Sequence, residues 1–172
     1  MDTRLRILQA ARELAFERGV IPSLDAVAAA ARVSKGGLMH HFRSRAALVD
    51  GLARQALDEV DALMEAAAAE GRAAETWLRL SVPGPDEAAL YRAMMVAFRA
   101  VEAGNQGVIE LAGAATSRWQ DLLGAEVGDP TQALIIRLVG DGLLMNAVVG
   151  TPAGNGDALV DALCRSATEG TS

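Results

Sequence analysis

Between Ser23 and Phe42 the chain reads SLDAVAAAARVSKGGLMHHF, and this stretch holds the residues best suited to chemistry with another molecule. Lys35, His40 and His41 are donors or cations, and Arg43 and Arg45 follow within a few residues. That set suits phosphate oxygens and base edges. Ser23 and Ser34 stand where a hydroxyl caps the start of a helix. Gly36 and Gly37 would each cost a helix about 1 kcal/mol. They make sense where a helix N-terminus comes close to a nucleic-acid backbone, its free N–H groups favouring a phosphate oxygen.

Other chemistry is poorly supplied. No Ser/His/Asp set, paired carboxylates, phosphate loop or metal spacing stands out. Neighbouring helical residues point about 100° apart, so His40 and His41 suit DNA contact rather than a shared metal. Cys164, the single cysteine, suits a buried core thiol in a reducing compartment. The sequence therefore predicts no catalytic residues, no metal and no cofactor, and a protein that is not an enzyme.

The elements that must position this stretch are helices. Apolar spacing predicts a helix over 3–18, with Leu5, Leu8, Ala11, Leu14, Ala15 and Phe16 along it and Ile7 a heptad before Leu14. Asp2 or Thr3 starts it and Gly19 stops it. Helices over 24–30 and 35–42 follow, meeting at a corner of Ala31, Arg32 and Val33. At 100° per residue, Leu38 and Phe42 face inward together, while Gly36, Gly37, Met39 and His40 point outward or sideways. Ser44 can cap a long helix from Arg45 to about Ala69; Ala47, Leu48 and Leu52 pack on the first three helices, and Leu57, Val60, Leu63 and Met64 enter a second domain. Further helices are expected over 73–82, 86–103, 108–125, 130–149 and 157–167. The helix at 130–149 is apolar on most sides, so its own chain or a partner must cover it. The fold class is all-α: a helix-turn-helix domain over 1–50 and a helical domain over 51–172.

Composition agrees. Of the 172 residues 51% are hydrophobic and only 3% aromatic, so Ala, Leu and Val do most of the packing. Net charge is −6, which alone argues against nucleic acid. Its distribution argues the other way: residues 1–55 hold nine Arg or Lys against five acids, and residues 56–172 seven against seventeen. One basic end on an acidic body is expected where that end meets phosphate. No apolar leader opens the sequence, and the apolar run 138–149 is short and interrupted by Asp141 and Asn146. A soluble cytoplasmic protein is the simplest expectation.

The strings RLRILQAARELAFERGV and LDAVAAAARVSKGGLMHHFRSRAALV resemble the TetR family of bacterial transcriptional regulators over about residues 4–52. The segment Val33 to Phe42 is the most specific part. The resemblance implies that residues 35–41 form a recognition helix and that Arg45 contacts phosphate. It also implies a C-terminal body that binds a small molecule and dimerises through its last two long helices. Three positions depart from the family pattern: Arg32 stands where glycine is usual, Gly37 where Thr or Ala is usual, and Met39 where Tyr is usual.

The expected function is sequence-specific DNA binding, as a ligand-responsive repressor on a palindromic operator, active as a homodimer and away from membranes. The DNA-contacting set is Ser23, Ser34, Lys35, Gly36, Gly37, Met39, His40, His41 and Arg45. Candidates for an effector pocket are Trp77, Tyr91, Met94, Met95, Phe98, Trp119, Met145 and Asn146, and their few charges suggest a mostly apolar effector. The alternative is a helical protein-interaction module, related in form, that has lost DNA binding.

Overall fold

The computed structural model describes residues 2–99, 106–151 and 154–169, without the side chains of 96–99, 106, 164 and 166–169. Phe98 and Cys164, singled out above, thus have side chains outside the described residues. Every regular element described is a helix: α1 (Thr3–Arg18), α2 (Leu24–Ala30), α3 (Lys35–His41), α4 (Arg45–Ala69), α5 (Ala73–Leu80), α6 (Pro85–Arg99), α7 (Gln106–Val127), α8 (Pro130–Val149) and α9 (Gly156–Glu169).

Local chemistry explains the ends of the first four helices. The Asp2 carboxylate accepts the Arg4 N–H, and Gly19 takes the left-handed conformation after α1, the usual use of glycine at a helix end. The hydroxyls of Ser23, Ser34 and Ser44 accept the N–H groups of Ala26, Gly37 and Ala47 at 3.2, 3.0 and 3.1 Å. Each satisfies one orphan donor of a helix start. α6 begins on Pro85, whose missing N–H costs nothing there.

The chain divides into two compact units. The first comprises Met1–Ala56 and Pro85–Leu111. Its core holds Ile7, Leu8, Ala11 and Ala15 of α1, Val27 and Ala28 of α2, Leu38 of α3, and Phe42, Leu48 and Leu52 beyond. Leu90, Ala93 and Met94 of α6 and Val108 of α7 complete it. Of the apolar residues expected along α1, Ile7, Leu8, Ala11 and Ala15 are buried and Leu5 is exposed. The structure also extends this core beyond the first fifty residues, because α6 packs on α1.

The second unit comprises Leu57–Gly84 and Ala112–Ser172. Met64, Trp77, Leu78, Trp119, Leu123, Ile136 and Leu143 lie at its centre. Leu63, expected with Met64, is exposed; it lies one 100° step back along α4 and so leaves the buried stripe. α5 packs on α8 and α9. It has no capping side chain of its own; the Glu126 carboxylate of α7 accepts from the N–H groups of Ala73 and Ala74 instead. The rings of Trp77 and Trp119 lie 5.4 Å apart, and the Trp77 indole N–H donates to the Arg137 carbonyl at 3.2 Å. Gly140 lets α8 lie against Trp77.

α8 is not covered all round by its own chain. Ala133, Ile136, Gly140, Leu143, Ala147 and Val148 are buried, while Leu134, Ile135, Leu138, Met145 and Val149 stand between 42% and 61% exposed. By length and mean hydropathy alone (20 residues, 1.5) α8 could cross a membrane. It is one side of a packed helical unit, however, and its Arg137 is paired with Asp141.

Candidate nucleic-acid interface

α2 and α3 meet at a tight corner. The Val33 N–H donates to the Ala28 carbonyl at 3.0 Å and the Arg32 N–H to that of Ala29 at 3.2 Å. This geometry holds Arg32 at φ +54°, the only non-glycine with positive φ among the described residues. The conformation explains why glycine suits this position and shows that Arg32 adopts it regardless.

α3 is two turns long and cannot stand alone. Leu38 and Phe42 anchor it with 0% and 2% exposure, the inward pair that the 100° spacing predicts. Gly51 of α4 makes room for the anchor: a Cβ there would lie 2.6 Å from Phe42 Cε1 and 3.1 Å from Leu8 Cδ2. The rest of α3 is displayed. Ser34, Lys35, Gly36, Met39 and His40 are exposed, and Gly37 and His41 half-buried. A Cβ at Gly36 would have no neighbour within 4 Å beyond its own stretch of helix.

The candidate DNA residues thus fall into groups. Lys35, Gly36, Met39 and His40 share the open side of α3. His40 and His41 lie edge to face, 5.4 Å apart. Ser23 and Ser34 spend a lone pair on their own helices, but each hydroxyl keeps its O–H for a phosphate. Arg45 donates to the Ile21 carbonyl at 2.8 Å, tying the start of α4 to the link before α2. That bond uses one of five guanidinium N–H donors.

Several supporting residues were not singled out by the sequence reading. The Arg6 guanidinium donates to the Ala31 carbonyl at 3.2 Å, fixing the end of α2 to α1. Arg4 lies 5.4 Å over the Phe42 ring, a cation–π contact. Asp25, at the start of α2, pairs with Lys35 at 2.9 Å. A basic or acidic residue in the linear sequence carries no mark of such a partner, and none of the three contacts follows from helical spacing.

The effector candidates are dispersed. Tyr91 is half-buried and Met94 buried in the first unit, with Met95 half-buried on the same helix. Trp77 and Trp119 fill the core of the second unit, and Met145 and Asn146 are exposed there. An open depression of about 300 Å³ lies on the second unit, lined by Thr116, Ser117, Gln120, Asp121, Leu134 and Arg137. None of the effector candidates lines it. Among the described residues no three His, Cys, Asp or Glu side chains converge as a metal set.

Comparison with known proteins gives this geometry its relatives. The model of bacterial regulatory proteins of the tetR family matches residues 7–52, and that of the tetracyclin repressor-like C-terminal domain matches residues 71–166. Comparison with curated proteins finds no match. Among solved structures, a TetR family member from Streptomyces coelicolor A3 is 21% identical, covering 96% of this chain and 98% of its own, with TM-score 0.69. A transcriptional regulator of the TerR/AcrR family from Aquifex aeolicus VF5 is 20% identical over 96% and 97%, with TM-score 0.65. The fatty acid degradation regulator FadR from Bacillus halodurans is 15% identical over 94% and 96%, with TM-score 0.67. These structures share the fold, and the two family models between them span most of the sequence: the chain belongs to the TetR family of bacterial regulatory proteins.

Proposed function

We propose that the chain is a dimeric transcriptional repressor that seats α3 in the major groove of a palindromic duplex operator. The observation that carries this reading is Gly36. It weakens a two-turn helix by about 1 kcal/mol, yet no other part of the chain comes near enough to require a missing side chain. The open space at Gly36 leaves room for a DNA backbone or base edge to approach the start of α3 closely. Lys35, His40 and Arg45 surround that approach with donors, and two copies would read half-sites about 34–36 Å apart or a multiple of it.

The second copy has a natural seat in this reading. The exposed stripe Leu134, Ile135, Leu138, Met145 and Val149 of α8, with Leu159 of α9, is apolar enough to associate with its own image about a two-fold axis. A small, mostly apolar effector would act by favouring one separation of the two α3 helices over another.

The test is a salt titration of binding to duplex DNA from upstream of the chain's own gene. Wild type should bind specifically, with affinity falling steeply as salt rises. Lys35→Ala should make the log–log slope shallower, by no more than the roughly 0.9 of one phosphate. Gly36→Ala should melt no lower than wild type while binding DNA on the order of tenfold more weakly, as an added methyl in a close contact does. If no salt-sensitive binding is seen, or Gly36→Ala binds as wild type does, the alternative of a protein-interaction module takes over.

A further inference from the structure

Lys35 is the only lysine in the chain and the first residue of α3, yet it is engaged. Its ammonium lies 2.9 Å from the Asp25 carboxylate, with 66% and 70% of the two side chains exposed. We propose that Asp25 is a positioning residue that withholds the Lys35 charge from phosphate and so sets a ceiling on DNA affinity. The proposal rests on the DNA-binding reading above and deepens it.

The argument is one of location and strength. Contact with Lys35 places the Asp25 carboxylate at the start of the displayed helix, where a phosphate would be drawn by the same ammonium. An acid at that point repels the phosphate and competes for the cation. The pair is exposed and therefore weak, so it yields to DNA at a cost instead of blocking it. An affinity held down in this way tilts the balance from non-specific backbone contact toward base contacts, because the backbone term is the one that charge supplies.

A structural reading also exists for an acid here, since Asp25 lies in the first turn of α2, where a negative charge favours the helix. The two readings differ in what they move. A helix-end role changes thermal stability and leaves DNA affinity alone. A brake acting through Lys35 changes the salt slope and leaves stability nearly alone.

The experiment uses the full chain and a fluorescein-labelled random-sequence duplex, read by anisotropy across a salt series. Asp25→Asn should bind about three- to tenfold tighter than wild type, the scale of one exposed ion pair plus one removed repulsion. Its slope should steepen by the part of one phosphate's roughly 0.9 that Lys35→Ala does not remove from wild type, since one lysine neutralises one phosphate. Asp25→Glu should retain the wild-type slope. In a Lys35→Ala background, Asp25→Asn should no longer change the slope. Unchanged affinity and slope in Asp25→Asn, or an equal gain with and without Lys35, overturns the proposal while the DNA reading stands. Wild type without salt-dependent binding to this duplex and to the upstream DNA overturns both.

Discussion

Replacing Arg32 with glycine should make the protein more stable, although it removes a side chain and adds none. The corner between α2 and α3 holds Arg32 at φ +54°. An L-residue pays about 1–2 kcal/mol there, because its Cβ crowds the following carbonyl. The chain cannot relax to negative φ without giving up the bonds from the Arg32 and Val33 N–H groups to the Ala29 and Ala28 carbonyls. Glycine removes the crowding but brings extra freedom to the unfolded chain, at about 0.5–1 kcal/mol. Because Arg32 is exposed, little packing is lost. The net gain is about 0.5–1 kcal/mol, or roughly 1–4 °C for a chain of this size. Thermal unfolding of Arg32→Gly, Arg32→Ala and wild type, followed by circular dichroism at one protomer concentration, tests it. The expected order places glycine highest, with alanine near arginine because it keeps the Cβ. Alanine rising as far as glycine, or glycine falling below arginine, would refute the backbone argument. Both variants lose the same charge, so any shared drop in DNA affinity reports the charge and not the turn.

Gly51→Ala should cost about 1–3 kcal/mol, the scale of an overpacked core, because its Cβ would lie 2.6 Å from the Phe42 ring; urea denaturation reads the loss, and a midpoint equal to wild type would mean that α4 yields freely there. Gly140→Ala should disturb the second unit, since its Cβ would sit 2.6 Å from Ser81 Oγ and 2.7 Å from Trp77 Cε2. The expected readout is a red shift in tryptophan emission, and an unchanged spectrum would count against the packing described. Leu138→Glu, on the exposed stripe of α8, should yield a monomer in sedimentation velocity and weaken operator binding by more than tenfold. A dimer that survives it would place the association surface elsewhere.

The head of the molecule was largely legible in its sequence. Leu38 and Phe42 fall on one side of a helix by arithmetic alone, and the three serines mark the three helix starts at which they are found. What the sequence hid is contact between residues far apart. The bond from Arg6 to Ala31 spans 25 positions, and the capping of α5 by Glu126 spans more than fifty. Periodicity also names the apolar residues of a helix without saying which are covered: of Leu5 and Ile7, only Ile7 is buried. The effector candidates illustrate a related point. Aromatic and methionine side chains at helical spacing are the ordinary filling of a core, and Trp77 and Trp119 fill one.

The composition of the first unit bears on how such a protein can be taken apart. A fragment ending at residue 56 would contain every helix of the head and all its candidate DNA contacts. It would lack Leu90, Ala93, Met94 and Val108, which are buried in the same core, and would open the apolar face of α1 to water. Excising the reading head to make a chimera, or trading it between relatives, therefore requires the matching segment from 85 to 111 to travel with it. The unit that packs around this core is not a contiguous run of the chain.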